Sequence, residues 1–141
     1  LEFRRVLFRS KQAAAQHGFD KPKLSINSHG FIADDHQQAI DIAFPNFKQT
    51  MDKIGQERGW PPMLRNQFEA STSLQGANFV GSPQAVIDKI MYQYELFNHD
   101  RFLMKMTIGS FTHKEIMRSI ELFGKEVLPV IRKELKTEEL A

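Results

Sequence analysis

Residues 79–130 read FVGSPQAVIDKIMYQYELFNHDRFLMKMTIGSFTHKEIMRSIELFGKEVLPV, and their punctuation decides the fold. Val80-Gly81-Ser82-Pro83 starts a helix. Ser82 is its N-cap, and Pro83 takes the first helical position, where a missing N–H costs nothing. Val86, Ile87, Ile90, Met91 and Tyr94 then recur at three- and four-residue steps and form one apolar stripe. Asn98-His99-Asp100 ends this helix. Arg101 to Thr107 (RFLMKMT) reads as a strand, bounded by Gly109. Thr112 and Glu115 have capping-box spacing, and Ile116, Met117, Ile120 and Phe123 form the next stripe. A capped helix feeding a strand and then a second capped helix is part of an α/β repeat.

The same stretch carries a resemblance. Val80-Gly81-Ser82-Pro83-Gln84, Asp100-Arg101-Phe102, Gly109, His113, Met117 to Gly124 and Val127-Leu128-Pro129 resemble the carboxyl end of the bacterial-luciferase-like, flavin-dependent monooxygenases. Upstream, Ser28 to Asp34 (SHGFIAD) and Ile54 to Met63 (IGQERGWPPM) are similar to the last third of that family. No single motif is diagnostic; their order and spacing together carry the resemblance, over roughly residues 11–135. It implies an α/β fold that is the C-terminal part of a (β/α)8 TIM barrel, the last two βα units plus an insertion. Such a barrel takes about 250 residues, so a chain of 141 is expected to be an incomplete one.

Working outward, Lys11 to His17 reads as the tail of a helix closed by Gly18. Lys23 to His29 reads as a strand in which Leu24 and Ile26 alternate with Ser25 and Asn27. In a barrel the first pair would pack on helices, and Ser25, Asn27 and His29 would face the lumen, with Phe31 in the loop beyond. Asp34-Asp35 offers a cap to a helix running through Ala39, Ile40, Ala43, Phe44, Phe47, Met51 and Ile54, which Pro45 should kink or split. Residues 65–78 are polar and aperiodic. They read either as an exposed connector or, as the resemblance implies, as a lid over the active site. In the later strand, Phe102, Met104 and Met106 should meet the helices, leaving Lys105 and Thr107 on the lumen face. Pro129 should break or bend the last helix.

Composition bounds the rest. Forty-one per cent apolar and 26 per cent charged residues suit a soluble globular chain. No cysteine is present, which excludes disulfides, thiolate metal sites and a cysteine nucleophile and suits the cytoplasm. No apolar run is long enough for a bilayer, so no membrane partner is expected. The net charge of +2 resides in residues 1–10; without them 16 basic and 16 acidic residues remain, and nucleic-acid binding loses its support. Arg4 to Ser10 (RRVLFRS) back-translates, with allowed codons, to the end of a common sequencing adapter. The expected organisation is a non-native segment at 1–10, the barrel fragment at 11–135 and a charged tail at 136–141.

Four residues are pocket candidates: His29 and Phe31 near the carboxyl end of the first strand, Lys105 and Thr107 at the carboxyl end of the later one. Lys105 is either an edge residue reaching water or a cation for an anionic ligand. The five histidines fall on five segments without H-x-x-x-H spacing, so no metal is expected. Gly81-Ser82 and Gly109-Ser110 read as plain helix starts rather than phosphate cradles.

By resemblance, the whole protein would use reduced FMN, supplied by a separate flavin reductase, with O2 to oxidise a small organic substrate such as an aldehyde. Some members of the family use a deazaflavin instead. The resemblance implies a homo-oligomer at full length. The family's catalytic histidine and most flavin contacts fall upstream, so no catalytic or cofactor-binding residue is assigned, and the chain alone is expected to be inactive and marginally folded. The alternative is a small non-enzymatic α/β interaction domain.

Overall fold

The computed structural model describes residues 2–20 and 22–135. Helix α1 (Glu2–Gln16) ends at Gly18, whose φ of 70° is left-handed. Its closing bonds, Phe19 N–H to Ala14 O at 3.0 Å and Gly18 N–H to Ala15 O at 3.4 Å, form a Schellman motif. The anticipated tail at 136–141 lies outside the described residues.

Strands β1 (Ser25–Ile32), β2 (Phe79–Gly81) and β3 (Arg101–Lys105) form one parallel sheet in the order β2-β1-β3. The amino half of β1 pairs with β3, from Ser25 opposite Arg101 to His29 opposite Lys105. Its carboxyl half pairs with β2, from Gly30 opposite Phe79 to Ile32 opposite Gly81. Three differences from the sequence reading matter. The first strand runs on through Gly30, Phe31 and Ile32, so Phe31 is a strand residue and not a loop residue. A third strand also precedes the Ser82 cap, at Phe79–Gly81, and its short ladder covers one edge of the carboxyl end of β1. Thr107 lies two residues beyond β3 rather than inside it.

Helix α2 (His36–Arg58) begins at Asp35, whose Oδ1 accepts the Gln38 N–H at 3.0 Å, and ends at Gly59 with φ 69°. It is one helix: Pro45 sits inside it without splitting it, on an exposed face where the carbonyl it leaves free meets water. Helix α3 (Arg65–Thr72) occupies most of the stretch that reads as a loop. Helix α4 (Pro83–Phe97) starts at Ser82 as expected and ends at Asn98, left-handed at φ 46°. Helix α5 (His113–Leu122) carries the anticipated capping box, with Thr112 Oγ1 accepting the Glu115 N–H at 3.3 Å and Glu115 Oε2 accepting the Thr112 N–H at 2.7 Å. It passes through a π-helical turn (Phe123–Val127) into α6 (Leu128–Glu134), so Pro129 does not break the rod. The wider turn before it accommodates the bond that proline cannot make.

The sheet separates two apolar clusters. On one face Phe31 packs with Ala39, Ala43 and Phe47 of α2 and Phe68 of α3. On the other, Ile32, Phe79, Phe102 and Met104 pack with Val86, Ile87 and Ile90 of α4 and with Leu122 and Val127. The alternation read in RFLMKMT holds: Phe102, Met104 and Met106 turn to the helices, while Arg101, Leu103, Lys105 and Thr107 are exposed. The stripe read for α5 does not. Met117 and Ile120 are about half exposed, at 50% and 48%, and the buried positions are Ser119 and Leu122. Ser119 is drawn inward because its Oγ accepts the Ile32 N–H at 2.8 Å, fastening α5 to the end of β1.

Candidate functional site

The four candidate residues fall where two neighbouring parallel strands end. His29 and Lys105 are register partners, on strands that a parallel ladder sets about 4.8 Å apart. Phe31 lies two residues further along β1 on the same face as His29, and Thr107 lies two residues past the end of β3. The structure therefore brings His29 and Lys105 side by side, with Phe31 beyond His29 toward the carboxyl end of β1.

Their environments differ. Phe31 is 1% exposed and its ring stacks on Phe111, with centroids 4.6 Å apart and the planes parallel to within 1°. His29 is half-buried, with the Phe47 ring edge-on at 6.0 Å, and its Nδ1 is buried without a hydrogen-bond partner. Burial, then the charge of Lys105, holds its pKa below 6.5. The imidazole is thus neutral at physiological pH. Lys105 and Thr107 are exposed, and no ion pair among the described residues engages Lys105.

An open cleft of about 850 Å3 lies over the carboxyl end of β1, between the first turns of α2 and α5. Phe31, Ile32, Ala33, Ile42 and Met117 give it an apolar lining, and Asp34 and Arg118 stand at its edge. Of the four candidates only Phe31 borders it. Arg118 donates to both Asp34 oxygens, with Nε to Oδ2 at 3.2 Å, and to Glu121 Oε2 at 2.9 Å. The hydrogen bond from Arg118 holds the Asp34 carboxyl below its ordinary range. Sequence reading treated Asp34 only as a possible cap; the cap is Asp35, which frees Asp34 for Arg118.

Lys89, on α4, was also missed. It is 4% exposed, and its Nζ donates to the carbonyls of Ser73 and Asn78, both at 2.6 Å, and of Thr72 and Ser71 at 3.3 and 3.4 Å. Its position gave a signal, because Val86, Lys89 and Ile90 share the buried face by the three-and-four rule. The stretch after α3 is consequently pinned by one ammonium. Among the described residues no group of three or more His, Cys, Asp or Glu side chains could hold a metal ion, and no helix is long and apolar enough to cross a membrane.

The buried histidines predict a pH effect. His99 is 7% exposed, its Nδ1 lacks a partner, and burial lowers its pKa, against a smaller raising effect of Asp100. His29 is shifted in the same direction. As pH falls below 6.5 the unfolded chain takes up protons that the folded chain resists, so stability falls with pH. Urea midpoints should therefore decrease from pH 7 to about pH 5, and His99→Gln should flatten part of that slope. An unchanged slope would show that His99 is not the group responsible.

No family model matches the chain. Uncharacterized protein y4vJ of Sinorhizobium fredii (strain NBRC 101917 / NGR234) is 30% identical over 56 residues, which are 40% of this chain and 16% of that protein. Among solved structures, the monooxygenase RslO1 from Streptomyces bottropensis superposes with a TM-score of 0.69 at 19% identity, covering 90% of this chain and 37% of that one. The oxygenating constituent of 3,6-diketocamphane monooxygenase from Pseudomonas putida, a type II Baeyer-Villiger monooxygenase in complex with FMN, superposes with a TM-score of 0.56 at 22% identity, covering 86% and 38%. The chain spans less than two fifths of the length of either structure. The likeness is one of fold: the mixed α/β architecture with its parallel sheet matches part of these larger chains, as a piece of a barrel would. This agrees with the resemblance read in residues 28–63 and 79–130.

Proposed function

We propose that this chain forms one wall of the mouth of a flavin-dependent monooxygenase barrel that uses reduced FMN and O2 on a small organic substrate. The observation that carries the reading is the side-by-side placement of His29 and Lys105 on one sheet face, near the carboxyl ends of parallel strands. That is where barrels and open α/β sheets bind their ligands.

The residues suit a flavin. A neutral, half-buried imidazole and a cation free of ion pairs, standing next to each other, can serve the polar edge or the anionic group of such a molecule. His29, Lys105 and Thr107 would hold it, and the Phe31–Phe111 stack would close one side against water. Reduced FMN, when bound, supplies the electrons for activating O2; the chain's part is to orient the ligand and exclude solvent. A separate reductase as the source of reduced flavin, assembly into a homo-oligomer and a cytoplasmic setting, which the absence of cysteine favours, belong to the same proposal. The FMN complex of a structural neighbour favours FMN over a deazaflavin.

The chain itself should bind FMN reversibly at 1:1, read by quenching of flavin fluorescence, and show no monooxygenase turnover of its own. A well-folded dimer indifferent to flavin would overturn this reading in favour of a non-enzymatic interaction domain.

A further inference from the structure

We infer that the sheet face shared by His29, Lys105 and Thr107 is a subsite for an oxyanion, with the Lys105 ammonium as its main contact. The inference rests on the reading of that face as the inner wall of a barrel, and it goes further in naming the ligand chemistry.

Three observations carry it. The first is the sign of the face. Along β1 it presents Ser25, Asn27, His29 and Phe31, and along β3 it presents Arg101, Leu103 and Lys105, with exposed Thr107 two residues past the strand's end. It therefore holds two permanent cations and no carboxylate. Three carboxylates elsewhere are committed to other cations: Asp34 to Arg118, Asp41 to Arg65 and Asp52 to Lys48.

The second is the state of His29. Burial, and after it the neighbouring Lys105, opposes a positive charge on it. The site thus pairs one fixed cation with one neutral imidazole able to donate a hydrogen bond, rather than two repelling cations. An oxyanion between them meets an ammonium and an N–H, and the Thr107 hydroxyl is available two residues on.

The third is the wall. The Phe47 ring stands edge-on to the imidazole and leaves its Nδ1 buried and unpaired. Water is kept from one side of the site, and a charge-assisted contact there is stronger than one in open solvent. Barrel closure would deepen that effect, because an ammonium facing a lumen without a counter-ion is costly.

The oxyanion could belong to the phosphate of a flavin mononucleotide or to a carboxylate on the substrate. The test uses the whole chain and the imidazole resonances of His29, assigned by comparison with His29→Asn. Inorganic phosphate, benzoate, FMN and riboflavin are titrated in turn. The expected result is a saturable shift of the His29 signals by oxyanions. Lys105→Gln should weaken it about tenfold, the loss of one charge-assisted hydrogen bond, and Lys105→Arg should retain most of it. FMN bound more tightly than riboflavin would identify the phosphate as the source. Benzoate preferred over phosphate, with FMN and riboflavin equal, would identify a substrate carboxylate.

No shift with any anion, or a shift indifferent to Lys105→Gln, would overturn the inference. The flavin reading fails separately. Phosphate binding that depends on Lys105, with no binding of either flavin, would support the subsite and remove the flavin proposal. Flavin binding that is equal for FMN and riboflavin, without any anion effect, would do the reverse.

Discussion

Replacing Lys89 with Met is expected to lower the unfolding free energy by about 3 kcal/mol, a large share of the 5–15 kcal/mol typical of a folded domain. The volume is conserved, so the loss comes from polarity. Four backbone carbonyls, those of Ser71, Thr72, Ser73 and Asn78, converge on one ammonium, and a thioether satisfies none of them. The Phe79 ring, 5.1 Å from Nζ, would lose a cation as well. The damage should be local first: amides of residues 73–78 should exchange with solvent much faster in the variant, while those of β1 and β3 change only with global stability.

A pH signature accompanies this. Burial pulls the Lys89 pKa from 10.5 to about 8. Between those values the unfolded chain still holds a proton that the folded chain has released, so this group makes stability rise with pH across the window. Lys89→Met should abolish that rise relative to the parent. A variant that melts like the parent, with unchanged exchange at 73–78, would show that the ammonium does not secure this segment.

Phe31→Ala should cost about 3–5 kcal/mol, the range for deleting a buried aromatic ring. Phe31 is 1% exposed and stacks on Phe111, and its cluster joins α2 and α3 to the sheet through Ala39, Phe47 and Phe68. Phe31→Leu keeps most of the buried volume and should recover more than half of the loss, since only the ring stacking and a small volume difference remain. Urea denaturation of the two variants separates these contributions. A loss below about 1 kcal/mol for Phe31→Ala would mean that Phe111 and Phe47 close over the gap, and that Phe31 serves the cleft rather than the core.

The parts that were legible in sequence are those governed by local chemistry. Ser82 with Pro83, Asp35, and Thr112 with Glu115 each satisfy helix-end donors within three residues of themselves, so no knowledge of the rest of the chain was needed. The alternation through Phe102, Met104 and Met106 was equally local. What escaped was set at a distance. Strand β2 is three residues long with a glycine at its end, and exists because β1 offers it an edge. Helix α3 is short and polar, with Phe68 as its one large apolar residue, so no stripe announces it; it is held because Phe68 enters the cluster beneath α2. Of the site, the His29–Lys105 pairing could be anticipated, because alternation along each strand gave both residues the same expected side. The cleft between α2 and α5 could not, because the pairing of Asp34 with Arg118 spans 84 residues.

The π-helical turn at Phe123–Val127 has a bearing on how this protein should be aligned with others. Leu122 and Val127 are five residues apart, and both are buried against the same cluster, at 1% and 0% exposure. In an uninterrupted α-helix, five residues would turn them about 140° out of phase. The i→i+5 turn restores the phase, so the inward positions run 119, 122, 127 and 131, at steps of three, five and four. One residue here is thus surplus to the helical count. A relative with a plain α-helix in this place should be one residue shorter between its counterparts of Leu122 and Val127. The alignment gap belongs inside the rod at 123–127, not in the loop before it.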